Sequence, residues 1–126
     1  MKQEDIQLLL KDLCGRLPYG VKCKSKCFNS DIIQSIIIDE ENTLFNFSVN
    51  DSGFINQLYI SEFKPYLFPL SNITQEQEKE YLETCNSYCE YYWTTDTFDW
   101  FNANHIDYRG LIDKGLAIDA TELNIY

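Results

Sequence analysis

The stretch IIQSIIIDEENTLFNFSV, residues 32–49, predicts a β-hairpin. Its two arms, residues 32–39 and 43–49, are rich in β-branched and aromatic side chains, which favour strands. Between the arms, DEEN at 39–42 has the composition of a turn. The segments on both sides of this hairpin are therefore candidates to extend the same sheet.

Each side of the hairpin predicts one further strand. GVKCKSKCF, residues 20–28, alternates between two faces. One face carries Val21, Cys23, Ser25 and Cys27, and the other carries Lys22, Lys24 and Lys26. Lysines at alternate positions suit a solvent-facing or edge strand. FINQLYIS, residues 54–61, follows the turn NDSG at 50–53, so four strands form an antiparallel meander, curled into a small barrel or an SH3-like half-barrel.

The N-terminal segment predicts an amphipathic helix over residues 3–14. Gly15 stands where a glycine commonly ends a helix, and Pro18 prevents continuation. The apolar stripe of this helix has helical spacing and consists of Ile6, Leu9, Leu10 and Leu13.

The segment after the strands predicts an extended stretch followed by a helix. EFKPYLFPLSNIT, residues 62–74, has two prolines four residues apart, and we expect it to lie extended across the barrel. Thr74 and Gln77 have the spacing of a capping box, which predicts a helix from 75 to about 92.

The C-terminal part predicts a second helix and a short turn. An N-cap at Thr95 or Asp96 would start the helix. Its inner stripe would hold Phe98 and Phe101, with His105 as a further candidate. A helical turn is expected over 108–114, closed by Gly115, and the tail at 116–126 is expected to be extended or frayed.

These elements predict a single α+β domain over residues 1–126, with an N-terminal helix, a small antiparallel sheet or SH3-like half-barrel, and two to three C-terminal helices. The predicted core consists of Leu9, Leu10, Leu13, Val21, Ile36, Ile38, Phe45, Phe47, Tyr59, Leu67, Leu82, Cys85, Phe98, Phe101 and Leu111.

Charge and hydropathy exclude several classes of protein. The net charge of −10 argues against direct nucleic-acid binding, which needs a basic surface. The charge is uneven, because residues 1–26 hold six basic and three acidic side chains. No apolar run is long enough to span a membrane, and the N-terminus does not resemble a secretory signal. We therefore expect a cytoplasmic protein with reduced thiols and an acidic surface that keeps it soluble or binds a basic partner.

Two cysteine pairs, Cys23 with Cys27 and Cys85 with Cys89, are candidates for a zinc site. On a strand, however, residues four apart are separated by about 13 Å, which is too far for both thiolates to bind one ion. The alternative is that these cysteines are small buried apolar side chains. We favour that alternative, and we expect no metal and no cofactor.

One stretch, NANHIDYRGLIDKGLA at 102–117, contains a candidate catalytic group. It holds the single histidine of the chain, His105, followed by Asp107 and Arg109, which could form an acid–base site. The alternative is structural: a helix end, a cap at Asp107, an Arg109 ion pair and a turn at which Leu111 enters the core. The sequence favours the structural interpretation, because every residue then has an ordinary role.

Four segments together resemble a family of small uncharacterised proteins encoded by gut Bacteroidetes and by their phages and prophages. They are KDLCGRLPYGVK (11–22), KPYLFPLSNIT (64–74), EKEY (78–81) and FDWFNANHIDYRGLIDKGLAIDA (98–120). The family often has an arginine where this chain has Phe68. The resemblance implies a cytosolic protein of mobile-element or commensal origin, and it implies no activity, cofactor or catalytic residue.

Two functions of different class follow from these observations. The first is a non-enzymatic interaction protein with a protein partner, consistent with the acidic charge and the lack of catalytic motifs. The second is a small enzyme with a Cys- or His-based site around His105.

Overall fold

The computed structural model describes residues 1–38, 42–49, 55–85 and 93–126. Three helices and seven strands lie in these ranges, together with three short 3-10 helices. The helices are α1 (Gln3–Arg16), α2 (Gln75–Thr84) and α3 (Thr95–Ala103). The strands are β1 (Lys22–Ser25), β2 (Asp31–Ile38), β3 (Thr43–Val49), β4 (Ile55–Leu58), β5 (Phe63–Pro69), β6 (Ile106–Asp107) and β7 (Ile118–Asp119). The predicted α+β class is confirmed.

The strands form one sheet in the order β4-β3-β2-β1-β5-β6, with β7 also paired to β5. The predicted meander is present, because β1 to β4 pair antiparallel in sequence order. The sheet is mixed rather than purely antiparallel, since β6 and β7 both pair parallel to β5. These two strands are only two residues long, which is too short to show an alternating pattern in the sequence.

The prediction for residues 62–74 needs a correction. Its first half does not lie across a barrel but forms β5, an interior strand between β1 and the two parallel strands. Pro65 and Pro69 are tolerated because the ladder uses the residues between them. Phe68 donates its N–H to the carbonyl of His105 at 2.8 Å, and the carbonyl of Leu67 accepts from the N–H of Ala120 at 2.9 Å.

Helix α1 is longer than predicted, because it continues through Gly15 to Arg16. Arg16 lies one turn after Asp12 and pairs with it, which favours the extra turn. A side chain at Gly15 would approach the amide nitrogen of Asn102 to 3.2 Å, so this glycine allows α3 to pack closely instead of ending α1. The end of α1 passes directly into a 3-10 helix with Pro18 in its first turn.

The boundaries of α2 and α3 differ from the prediction at one end each. The Thr74–Gln77 capping box is confirmed. Helix α2 ends at Thr84 instead of continuing to about 92, because Cys85 already has an extended backbone. Residues 86–92 lie outside the described ranges. No helix within those ranges is long and apolar enough to cross a membrane.

Helix α3 is capped by Thr94, one residue before the predicted N-caps. The hydroxyls of Thr94 and Thr97 each accept a hydrogen bond from the other residue's backbone N–H, which is a capping box. The predicted N-caps, Thr95 and Asp96, are therefore the first residues of the helix rather than its cap. The buried residues of α3 are Thr97, Phe101 and Asn102, while Phe98 is 36% exposed.

The core is formed by the sheet, α1 and the C-terminal turn. Of the predicted core residues, the buried ones are Leu9, Leu13, Val21, Phe45, Phe47, Leu67, Phe101 and Leu111. Leu10, Ile36, Leu82 and Cys85 are half-buried. Ile38, Tyr59 and Phe98 are exposed, which contradicts the prediction. Ile38 ends β2 opposite Thr43 at the outer end of the hairpin, and Tyr59 lies outside β4, between that strand and a 3-10 helix.

The C-terminal segment is ordered by tertiary contacts. Residues 108–114 do not form a helix, and a turn lies between Gly110 and Gly115, whose φ angles are 75° and 74°. Leu111 in this turn is fully buried in the main core. The tail beyond it pairs with β5 and packs its last tyrosine on Phe68, so it is not frayed.

Replacement of Leu111 tests whether this turn anchors the fold. Leu111→Ala should lower the free energy of unfolding by about 2–4 kcal/mol, because a large buried side chain is lost and a cavity is left. Leu123→Ala is the matched control, since Leu123 is 49% exposed and its loss should change stability by less than about 0.5 kcal/mol. Urea unfolding of both variants measures the difference. Equal stabilities would contradict the role given to the turn.

Candidate functional site

A buried network of charges joins α1 to the stretch predicted as a site. The Nε of Arg16 donates to Oδ2 of Asp12 at 2.7 Å, and both side chains are fully buried. The Nε of Arg109 donates to Oδ1 of the same carboxylate at 3.2 Å, with 21% of its side chain exposed. The predicted ion pair of Arg109 with an acid is therefore confirmed, and one carboxylate receives two guanidinium groups.

Arg16 also ties α1 to β6. Its Nη2 donates to the carbonyl of Ile106 at 2.6 Å. Its guanidinium lies 5.4 Å from the ring centre of Tyr108, and that of Arg109 lies 4.9 Å from the same ring. Nη1 of Arg16 is buried and has no hydrogen-bond partner among the residues that the structure describes. Two of the hydrogen bonds of this arginine go to Asp12 on the same helix, and the third holds the backbone after α3 against α1.

His105 lies just after α3, in a left-handed backbone conformation with φ of 59°. Its ring stacks on Tyr126, with the ring centres 3.7 Å apart and the planes 12° from parallel. Burial, followed by the positive charges of Arg16 and Lys22, lowers the pKa of His105 from 6.5 to about 4. The imidazole is therefore neutral at pH 7.

The hydroxyl of Tyr126 forms a bridge between β1 and β5. It accepts from the N–H of Lys22 at 2.8 Å and donates to the carbonyl of Tyr66 at 2.8 Å. The Nζ of Lys22 donates to the carbonyl of Ile125 at 2.6 Å, which holds the tail in place. Burial raises the pKa of the Tyr126 hydroxyl, so it remains protonated at neutral pH. The side chain that covers the ring of His105, Tyr126, therefore also links two strands of the sheet.

Asp107 caps the turn that follows it. Its two carboxylate oxygens accept from the N–H groups of Leu111 and Ile112, both at 2.9 Å. This confirms the predicted capping role. The three candidate catalytic residues thus make different contacts: His105 stacks on Tyr126, Asp107 caps a turn and Arg109 pairs with Asp12. The contacts described for His105 include no carboxylate, which an acid–base pair would use to orient the imidazole.

The candidate metal ligands also lie in different environments. Cys23 is fully buried in β1, whereas Cys27 lies beyond the end of that strand and is exposed. Burial, followed by the carboxylate of Asp31, raises the pKa of the Cys23 thiol well above its usual value, which disfavours the thiolate that a metal or a nucleophilic mechanism needs. Cys85 donates to the carbonyl of Tyr81 at 3.4 Å.

Cys89 lies outside the described residues. Within the described ranges, no group of three or more His, Cys, Asp or Glu side chains could hold a metal ion.

A surface of aromatic side chains around α3 was not predicted from the sequence. We define the aromatic surface as Trp93, Phe98, Trp100 and Tyr108. Trp93 is 42% and Phe98 36% exposed, and their rings meet edge to face at 5.9 Å. Tyr108 contacts Phe98 at 5.3 Å, and the buried ring of Phe101 contacts Trp93, Trp100 and Tyr108. The sequence signal was present in the aromatic content of TFDWF, but helical spacing alone placed Phe98 in the core.

Comparisons of the chain with family models, with curated proteins and with solved structures gave no match. The geometry of the chain itself is therefore the basis for a proposed function.

Removal of the Asp12 carboxylate tests the buried network. Asp12→Ala should lower the free energy of unfolding by about 3–5 kcal/mol, because the charge of Arg16 is then buried without a counter-ion. Arg109→Ala should cost only about 1 kcal/mol, since its guanidinium is partly exposed. Glu4→Ala, an exposed position on the same helix, is the control. Denaturant unfolding gives the ordering, and a smaller loss for Asp12→Ala than for Arg109→Ala would contradict the network.

The lowered pKa of His105 makes stability depend on pH. Its value falls from 6.5 to about 4 on folding, so below pH 6.5 the unfolded chain binds a proton that the folded chain does not. The contribution of His105 is therefore complete above pH 6.5 and is lost as the pH falls towards 4. Between pH 7.5 and 5 the loss should be about 1 kcal/mol, after allowance for the part of the ring that faces solvent.

His105→Asn is the matched variant for this measurement, because asparagine is always neutral and tolerates a positive φ. Urea unfolding at a series of pH values should give a flatter profile for the variant than for the wild type. Parallel profiles for the two proteins would show that another group causes the pH dependence.

Proposed function

We propose that this protein is a non-enzymatic interaction module, and that the aromatic surface binds a basic segment of a partner protein. The observation that carries the proposal is the exposure of Trp93 and Phe98 beside Tyr108 in one continuous set of ring contacts. Exposed aromatic side chains are expensive to hydrate and are enriched at the centres of protein interfaces. A partner that covers these rings would remove their apolar surface from water.

The charges around the aromatic surface favour a basic occupant. Asp96 and Asp99 are exposed on α3, the helix that carries Phe98 and Trp100. The Nε1 of Trp100 donates to the carboxylate of Glu80 at 3.3 Å. Cationic side chains bind aromatic faces and also pair with carboxylates, so arginine and lysine can use both features together. An acidic segment would instead be repelled by the flanking carboxylates.

The contacts of the candidate catalytic residues support an interaction module over the alternative of a small enzyme. An enzyme using His105 would need an accessible base near its operating pH, with a group that orients it. The ring of His105 is instead stacked on Tyr126, and its pKa of about 4 lies far below neutral pH. A Cys-based site would need a thiolate, which burial disfavours at Cys23.

The cellular setting of the module is part of the same proposal. The acidic net charge of −10 favours a basic protein over nucleic acid as the partner. The segments that resemble proteins of gut Bacteroidetes and their phages support a cytoplasmic role in such a bacterium, in which a phage or prophage protein acts on a host factor.

Binding of a short peptide of alternating arginine and glycine tests the aromatic surface. The wild type should bind it with an affinity that falls as salt rises from low to physiological concentration, because exposed charges are then screened. Phe98→Ala should weaken binding by about tenfold, equivalent to about 1.4 kcal/mol, and Asp99→Asn should weaken it and reduce the salt dependence. Isothermal titration calorimetry measures all of these affinities.

Tyr59→Ala is the matched control, because Tyr59 is also an exposed aromatic residue, at 47%, but lies outside the aromatic surface. Its peptide affinity should equal that of the wild type. Equal losses in Phe98→Ala and Tyr59→Ala, or binding that is independent of salt, would contradict the proposal. A turnover of any small molecule that is abolished by His105→Asn would favour the enzyme instead.

A further inference from the structure

A groove on the sheet, separate from the aromatic surface, concentrates positive charge on this acidic protein. We define the lysine groove by Lys24 in β1, Lys26 just after that strand, Lys64 in β5, and the residues Ser25 and Ser61. Its volume is about 490 Å³, within the range of small-molecule sites. We propose that the lysine groove binds the phosphate group of a small phosphorylated organic molecule.

The register of the sheet places two lysines directly opposite each other. Lys24 and Lys64 are partners in the antiparallel pairing of β1 and β5. Like charges at directly opposed positions destabilise a sheet. The alternating lysines predicted a solvent-facing or an edge strand. Because β1 lies between β2 and β5, it is not an edge strand, and the exposed side chains of Lys24 and Lys64 show that this face is the solvent-facing one. An anion bound between the two ammonium groups would offset this repulsion.

These lysines are also unneutralised. Across the described ranges, Lys24, Lys26 and Lys64 form no ion pair and no side-chain hydrogen bond, in contrast to Lys22, which donates to the carbonyl of Ile125. One carboxylate, that of Glu62, also lines the groove. Three ammonium groups and one carboxylate leave a net charge of +2 in the groove of a protein whose total charge is −10.

The chemistry of the groove favours a phosphate monoester over other anions. Such a group carries nearly two negative charges at pH 7, which matches the charge of the groove. Lysines bind phosphate as point charges. Ile118, which is half-buried, also lines the groove and offers an apolar contact to the organic part of the ligand.

Thermal unfolding and calorimetry with inorganic phosphate and phenyl phosphate test this proposal, with sodium chloride at equal ionic strength as the reference. Both phosphates should raise the Tm of the wild type above its value in chloride, and phenyl phosphate should bind more tightly. Lys64→Gln should raise the Tm in chloride, because it removes the repulsion from Lys24, and should weaken phosphate binding at least tenfold. Lys24→Gln, across the register, should produce the same two changes.

Lys114→Gln is the control, since Lys114 is exposed and lies in the turn between Gly110 and Gly115, outside the groove. It should leave both the Tm and the phosphate affinity unchanged. The proposal is overturned if phosphate and chloride give the same Tm for the wild type, or if Lys64→Gln binds phosphate as tightly as Lys114→Gln does. Tighter binding of a short glutamate peptide than of phenyl phosphate would also overturn it, because the groove would then dock a protein.

Discussion

The buried carboxylate of Asp12 is the constraint on which the packing of this protein depends. It neutralises Arg16, whose guanidinium reaches the backbone of Ile106, and it also receives Arg109 from the turn that follows. A buried ion pair gains from further hydrogen bonds to its two groups, and here the carbonyl of Ile106 and the guanidinium of Arg109 supply them. The end of α3 and the start of the C-terminal turn are thereby held against α1, close to Leu111 in the core.

The same ion pair helps to explain why His105, a catalytic candidate in the sequence, has a structural role in the fold. Because Arg16 holds the carbonyl of Ile106, the preceding residue must turn the chain sharply after α3, and His105 does so with a positive φ. Its ring then meets Tyr126, whose hydroxyl bridges β1 and β5. A neutral, stacked imidazole suits this position, since a charged one would face Arg16 and Lys22.

With the polar residues of the C-terminal stretch engaged in the fold, the exposed features of the protein lie elsewhere. The aromatic surface and its carboxylates lie around α3, and the lysine groove lies between β1 and β5. The two differ in charge and in apolar content, which is why the ligands proposed for them differ: a cationic protein segment and a small phosphorylated molecule. Neither proposal needs a reactive side chain.

Local patterns in the sequence determined the helix at the N-terminus, the paired strands β2 and β3 and the Thr74–Gln77 capping box, because each depends on residues close to one another along the chain. The tertiary structure alone decided that β5 is an interior strand, that Phe98 is exposed and that Arg109 pairs with Asp12, 97 residues away. These outcomes depend on which surfaces meet after the chain folds back on itself. Spacing along the sequence carries no information on such distant contacts, whereas it sets the geometry of a single turn, strand or helix.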